Sequence, residues 1–128
     1  MPVLLGLLNV ALTIAEPLEI RIMQDGPQVS FNFFRAQRKR RPAAQPTGIT
    51  WLLVYSKSVT NTVQAQWLIY SQETTNAVEK ATYGNVPDGF QQLVPKSGAP
   101  LMLQCGVVYF VEAQGTERGR TNFVYRCP

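Results

Sequence analysis

We predict an all-β fold for this chain from three features of its sequence. Short segments in which apolar and polar residues alternate recur from Leu18 onward. Turns rich in glycine, proline and asparagine separate these segments, and no stretch after residue 16 keeps the apolar spacing of an amphipathic helix. Roughly seven or eight short strands, spaced about ten residues apart, are typical of an antiparallel β-sandwich of immunoglobulin-like type.

The first two strands are predicted as a hairpin. Apolar residues alternate with polar ones over residues 18–22 and again over residues 29–33. Residues 24–27, Gln-Asp-Gly-Pro, have the composition of a tight turn between them. The next segment, residues 35–48, has two prolines and no apolar period, so we expect a long exposed connection there.

The most apolar strands are predicted at residues 49–55 and 63–70, on either side of a polar loop. Residues at period-two spacing on these strands should form the centre of the core, and they are Trp51, Leu53, Tyr55, Val63, Ala65, Trp67 and Ile69. Trp67 and Tyr70 have opposite parity, so one of them should be exposed, and we select Tyr70 as a candidate contact residue. The alternative is that the aromatic residues of these strands line a face that binds sugar or peptide.

Two weaker elements follow. Residues 77–83 form a strand pattern with polar alternation, whereas residues 84–100 are rich in glycine and proline. This composition excludes a long regular element and predicts a turn-rich crossover with one short edge strand.

The end of the chain is predicted as a hairpin that carries a disulfide. If Thr116 is the centre of the turn, Glu112 faces Arg120 and Cys105 faces Cys127. Opposed residues in an antiparallel ladder have Cα atoms roughly 4.5–5.5 Å apart, a distance that a disulfide can span. Two reduced cysteines in the core are the alternative. A disulfide persists in an oxidising compartment, so the pair also bears on where the protein works.

Length and composition indicate one compact domain, which we place at residues 16–128. The chain has 128 residues, of which 45% are apolar and 16% charged. No apolar run approaches the ~20 residues that a membrane-spanning helix needs, so we expect no transmembrane span.

Residues 1–15 contain an apolar run with the length of a signal-peptide core. Thr13 and Ala15 are small enough for the −3 and −1 positions of a cleavage site. No cationic side chain precedes the run, so the alternative is an opening strand or a short helix packed on the core. As a signal, the segment would direct the protein to the periplasm or the cell exterior.

Basic residues are concentrated in one short stretch. Five of the 12 lysines and arginines lie within seven residues, and they are Arg35, Arg38, Lys39, Arg40 and Arg41. The rest of the chain holds the other seven basic residues and all 8 acidic ones, so its net charge is close to zero. A local cluster of this kind attracts phosphate and other polyanions, with an affinity that falls as salt rises. A solvated connection that keeps the protein soluble is the alternative interpretation.

The sequence disfavours catalysis. It contains no histidine, which excludes imidazole as a base, proton shuttle or metal ligand. Glu73, Glu79 and Asp88 are the residues from which the carboxylate pair of a glycosidase would have to come, but solvated loop acids are commoner. The acidic residues show no metal-ligand spacing, so we expect no metal site, with a structural calcium as the alternative. Together with the lack of histidine, this predicts that the protein is not an enzyme and has no cofactor.

One segment resembles a known group of proteins. Residues 83–90, Tyr-Gly-Asn-Val-Pro-Asp-Gly-Phe, precede Pro95, Pro100 and a closing strand that contains Tyr109. This order is similar to the carboxy-terminal half of small exported bacterial envelope proteins, many of them lipoproteins, of unknown biochemical role. The resemblance covers about residues 50–128 and implies an envelope location and an immunoglobulin-like fold, but no activity. No cysteine near the amino end could carry a lipid.

Together these features predict a non-catalytic, exported binding module whose partner is a protein or a glycan of the bacterial envelope. The alternative is a binder of polyanions, such as nucleic acid or an anionic lipid surface, through residues 35–41.

Overall fold

The computed structural model describes residues 18–35 and 45–127, which form two antiparallel β-sheets packed face to face. The predicted all-β sandwich is confirmed. One sheet contains β1, β2, β3 and β6, and the other has the strand order β7-β5-β4-β8-β9. The strands of the described part are β1 (Leu18–Asp25), β2 (Gln28–Arg35), β3 (Gln45–Pro46), β4 (Ile49–Lys57), β5 (Val63–Tyr70), β6 (Lys80–Thr82), β7 (Gln91–Val94), β8 (Val108–Gly115) and β9 (Arg118–Val124).

Nine strands in the described residues exceed the predicted seven or eight. The extra strand is β3, a two-residue element that pairs with the end of β2 inside the segment predicted as a connection. The strand predicted at residues 77–83 is shorter, since only Lys80–Thr82 pairs with β2, and a 3-10 helix at Thr74–Asn76 precedes it. The edge strand predicted within the crossover is β7.

The β1–β2 hairpin forms as predicted. Leu18 pairs with Arg35 and Ile22 with Phe31, around a turn in which Gly26 has a φ of 59°. Glycine adopts this left-handed conformation without steric cost. The alternation of apolar and polar residues places one set on the core side, because successive strand residues point to opposite faces.

In β4 the residues that face the core have the opposite parity from the one predicted, although Tyr55, predicted in the core, is also buried. Leu52 and Val54 are fully buried. Trp51 and Leu53, predicted in the core, lie partly exposed on the outer side. The register of β4 against β8 shifts at Thr50, and this bulge sets the phase of the strand.

In β5 the prediction holds for the second half of the strand only. Trp67 and Ile69 are fully buried, whereas Val63 and Ala65 are exposed. A second bulge explains the change, because Val54 pairs with Trp67 while Tyr55 pairs with Ala65, which leaves Gln66 as the extra residue. An extra residue in a strand moves the side chain of every residue beyond it to the opposite face of the sheet.

The core lies between the two sheets and has Trp67 near its centre. The indole N–H of Trp67 donates a hydrogen bond to Gln92 Oε1 at 2.8 Å, which satisfies its polar atom away from water. The Trp67 ring meets the Tyr83 ring edge-to-face, with centroids 5.4 Å apart. The other large and fully buried side chains are Val29, Phe31, Phe33, Ile49, Leu52, Val54, Ile69 and Val111.

Strands β1 and β9 lie side by side at the open edges of the two sheets. A Cβ on Gly119 would stand 2.0 Å from the Leu18 carbonyl oxygen, so glycine is required at this close approach. At the other end, the Gln24 side-chain amide donates to the Arg126 carbonyl oxygen at 2.6 Å and accepts from the Arg126 N–H at 3.0 Å. The two strands therefore run in the same direction and cover each other's free edges.

Candidate functional site

The outer side of the five-stranded sheet is rich in aromatic and aliphatic side chains. Its members alternate with the buried residues of β4, β5 and β8, so they point away from the core. Only Tyr55 among them is buried, with 7% of its surface exposed, and the others remain partly exposed. We call this surface the aromatic face, and it consists of Trp51, Leu53, Tyr55, Leu68, Tyr70 and Phe110.

Strand pairing brings these six residues together as three cross-strand pairs. Trp51 lies opposite Tyr70, and Leu53 lies opposite Leu68. Tyr55 lies opposite Phe110 on the other side of β4. Directly opposed side chains on one face of a sheet pack on each other, so the six residues form one continuous surface.

The face has an ordered polar margin. The Tyr55 and Phe110 rings stack with centroids 5.3 Å apart and an interplanar angle of 18°, and Lys57 Nζ lies 4.8 Å from the Phe110 centroid. The Tyr55 hydroxyl donates to Glu112 Oε2 at 2.8 Å. Burial, and after it the hydrogen bond and the negative charge of Glu112, raises the pKa of Tyr55 above its ordinary value. Glu112 in turn pairs across the ladder with Arg120.

Tyr70, the contact residue selected from the sequence, belongs to the aromatic face. It is partly exposed and its hydroxyl donates to Gln91 Oε1 at 3.1 Å, whereas Trp67 is fully buried. Parity therefore separates the two residues as expected. The role of Tyr70 in a contact stays a prediction.

Sequence reasoning missed Leu68 and Phe110 as members of this surface. The signal that could have found the face is the run at residues 51–55, which is apolar at every position. A strand that is apolar on both of its sides has both sides available for packing.

The outer side of the other sheet has a different character. Glu19 and Arg21 form an ion pair there, and the Arg21 guanidinium covers the Phe34 ring at 4.1 Å from its centroid. The hydroxyls of Ser30 and Thr82 lie within hydrogen-bond distance, at 3.3 Å. The sandwich thus has one polar outer side and one aromatic outer side.

The predicted closing hairpin and its cysteine pair are found. Glu112 pairs with Arg120 in the β8–β9 ladder, in the register expected from a turn centred on Thr116. The ladder continues towards the cysteines, and their Cα atoms are 5.1 Å apart. The two Sγ atoms, of Cys105 and Cys127, lie at the disulfide distance of 2.13 Å.

The Tyr-Gly-Asn-Val-Pro-Asp-Gly-Phe segment has packing roles in this fold. The Tyr83 hydroxyl donates to the Leu101 carbonyl oxygen at 2.8 Å, and burial raises the pKa of Tyr83. Gly84 and Gly89 have φ angles of 85° and 83°, which favour glycine. Phe90 is buried in the core cluster. Residues 83–90 therefore pack the crossover, residues 84–100, against the sandwich.

Of the five clustered basic residues, only Arg35 lies in the described part of the chain. It ends β2, and its Nε is 3.3 Å from Glu117 Oε1 in the β8–β9 turn. Sequence reasoning missed this ion pair, because 82 positions separate the partners. The remaining members of the cluster lie outside the described residues, and they are Arg38, Lys39, Arg40 and Arg41. Polyanion binding by this segment stays a prediction.

We expect that replacing all five clustered residues with serine weakens binding to anionic lipid vesicles or to single-stranded nucleic acid. With single-stranded nucleic acid, the slope of log affinity against log salt should fall by about 0.7 for each phosphate contact that is lost. Titrations of the full chain across a salt series measure both quantities. A control chain carries serine at five dispersed basic positions, Arg21, Lys57, Lys80, Lys96 and Arg126. Equal binding by both variants would rule out a role for the cluster.

The described residues contain no group of three cysteine, aspartate or glutamate side chains that could hold a metal ion. Glu73 accepts a hydrogen bond from the Asn76 amide at 3.5 Å, beside the 3-10 helix. Glu79 precedes β6, and Asp88 lies in the crossover. The expectation that these acids form no catalytic pair stays a prediction. Within residues 18–35 and 45–127, no helix has the length and hydrophobicity to span a membrane.

The residues outside the described part include the amino-terminal run. The predicted export signal at residues 1–15 therefore lies where the structure gives no description.

We also compared the whole chain with protein-family models, with curated proteins and with solved structures. None of these comparisons found a match.

Proposed function

We propose that this chain is a non-catalytic binding module of the bacterial cell envelope and that the aromatic face is its contact surface. The observation that carries the proposal is the contrast between the two outer sides of the sandwich. One side has an ion pair, two hydroxyls and a phenylalanine ring covered by Arg21, whereas the other has six large side chains with no charge among them. A contiguous apolar surface that stays exposed is typical of an interaction site.

The disulfide supports a location outside the cytoplasm. Disulfides are stable in the periplasm and the cell exterior, and thiols are kept reduced in the cytosol. The apolar run at residues 3–15 supplies a route there if it acts as a signal, with cleavage after Ala15. The immunoglobulin-like type of the sandwich and the resemblance to envelope proteins belong to the same proposal.

The ring geometry favours a protein partner over a glycan. A sugar stacks on an aromatic ring whose flat side is open. The Tyr55 and Phe110 rings instead lie against each other, and the Lys57 ammonium group lies over the Phe110 ring. Tyr55 and Tyr70 also have their hydroxyls engaged by Glu112 and Gln91. These two rings are thus already in contact with other groups of the same chain, and Leu53 and Leu68 add aliphatic carbon, which packs well in the core of a protein interface.

Site-specific photo-crosslinking tests the proposal. A photo-reactive phenylalanine derivative replaces Leu53, at the centre of the aromatic face, in cells that produce the full chain. We expect covalent protein adducts on irradiation, because a contact at this face places the partner against residue 53. Gel shifts and mass spectrometry of the envelope fraction identify the adducts.

The matched control carries the same derivative in place of Met23, which is 65% exposed on the outer side of the other sheet. It should give no adduct, or far less than position 53. Adducts of equal yield at both positions, or none at position 53, would contradict the proposal.

A further inference from the structure

We infer that the partner of the aromatic face is a second copy of this chain, so that two sandwiches pack with these faces together. This inference rests on the proposed function, since it names the occupant of the same surface. Size, composition and charge of the face each favour a symmetric pair.

The outer side of the five-stranded sheet, of which the aromatic face occupies the three middle strands, has the size that a stable dimer needs. Strands β4 and β8 have 9 and 8 residues. At ~3.3 Å per residue and ~4.8 Å between strands, the five-stranded sheet measures roughly 26 by 24 Å. That is about 600 Å² in projection, close to the ~800 Å² of accessible surface that each partner contributes to a standard interface.

The composition of the face matches a homodimer interface. Such interfaces are more apolar than transient ones, and charged residues are depleted from their centre. Leu53 occupies the middle of the face, with Leu68 opposite it on β5. The charged residue opposite Leu53 on β8 is Glu112, whose carboxylate accepts the hydrogen bond of the Tyr55 hydroxyl. Trp51 and Tyr70 add two of the residue types that carry most of the energy in interfaces.

The charges on the face are compatible with packing against the same face of a second copy. In a two-fold pair the same surface is present on both sides, so a face with uncompensated charge of one sign would repel itself. The carboxylate nearest the centre is Glu112, and it accepts the Tyr55 hydroxyl and lies across the ladder from Arg120. Lys57 at the end of β4, and Arg118 and Arg120 on β9, lie on the same outer side. Charges of both signs are therefore present, and the cations lie at the rim of the surface rather than among the six residues of the aromatic face.

Sedimentation velocity of the full chain over a concentration series tests the inference. We expect a species of twice the 14.3 kDa chain mass. Leu53→Arg places a cation at the centre of the interface and should raise the dimer dissociation constant at least about 30-fold, as loss of an interface hot spot does. Met23→Arg on the other sheet is the matched control and should leave the constant unchanged.

Circular dichroism and thermal unfolding show whether each variant keeps the fold. If Leu53→Arg does not fold, Tyr70→Glu at the border of the face takes its place and should also dissociate the dimer. The inference is wrong if the chain stays monomeric at every concentration, or if a dimer forms that both Leu53→Arg and Tyr70→Glu leave intact. If the chain is monomeric and position 53 crosslinks to another protein, the inference of a second copy is wrong. The same result would support the proposed function.

Discussion

Replacing Trp67 with alanine is expected to lower the free energy of unfolding by about 3–5 kcal/mol, the range for loss of a large buried aromatic side chain. The Trp67 side chain is fully buried, and its removal opens a cavity beside Tyr83. It also leaves the Gln92 side-chain oxygen without its indole donor. Urea unfolding followed by circular dichroism measures the loss.

The second tryptophan of the chain is the control. Trp51 lies partly exposed on the aromatic face, so Trp51→Ala should cost less than half as much. Both unfolding series are best measured at a chain concentration at which the protein is monomeric, since an interface would add to the apparent stability. Equal losses for the two variants would show that the assignment of inner and outer sides in β4 and β5 is wrong.

Removing the disulfide is expected to cost about 3 kcal/mol. The cysteines are separated by 22 positions, and a crosslink that closes a loop of this length restricts the unfolded chain by roughly that amount. The double variant Cys105→Ser, Cys127→Ser should therefore melt at a markedly lower temperature than the parent protein. Differential scanning calorimetry without reductant measures the difference.

The same comparison with a reductant serves as the control. Reduction should lower the melting temperature of the parent protein towards that of the double variant and should leave the variant unchanged. A parent protein that does not respond to reductant, and whose thiols react freely with alkylating agents, would show that the bridge does not form.

The hairpins could be predicted from the sequence because their registers are local. In β1–β2 a turn with the composition Gln-Asp-Gly-Pro lies between two cleanly alternating runs, so the turn fixes every pair. The same holds for β8–β9, where one assumed centre at Thr116 places Glu112 opposite Arg120. Continuing this register beyond the ends of the two strands predicted the cysteine pair, whose Cα atoms are 5.1 Å apart.

The inner and outer sides of β4 could not be predicted in the same way. Residues 51–55 are apolar at both parities, so alternation gives no reason to prefer one set over the other. Period-two spacing assigned Trp51 and Leu53 to the core, whereas both lie partly exposed on the outer side. The bulges at Thr50 and Gln66 that set the true phase depend on pairing with distant strands, and no local signal marks them.

The contacts between distant segments were also beyond sequence reasoning. Arg35 meets Glu117, and Gln24 holds the backbone of Arg126, across most of the length of the chain. Only the three-dimensional arrangement of the two sheets brings these residues together. The aromatic face is likewise a product of topology, since it combines residues from three strands.

The packing of β1 beside β9 at the side of the sandwich has a consequence for how this protein behaves at high concentration. Long free strand edges act as templates on which further chains add and grow into fibrils. In the described residues, the longest edge strands are β1 and β9, and they shield one another. The other edge strands are β7, with four residues, and the still shorter β3 and β6. Fibril growth therefore has little backbone on which to start, and concentrated solutions of the folded protein should remain clear.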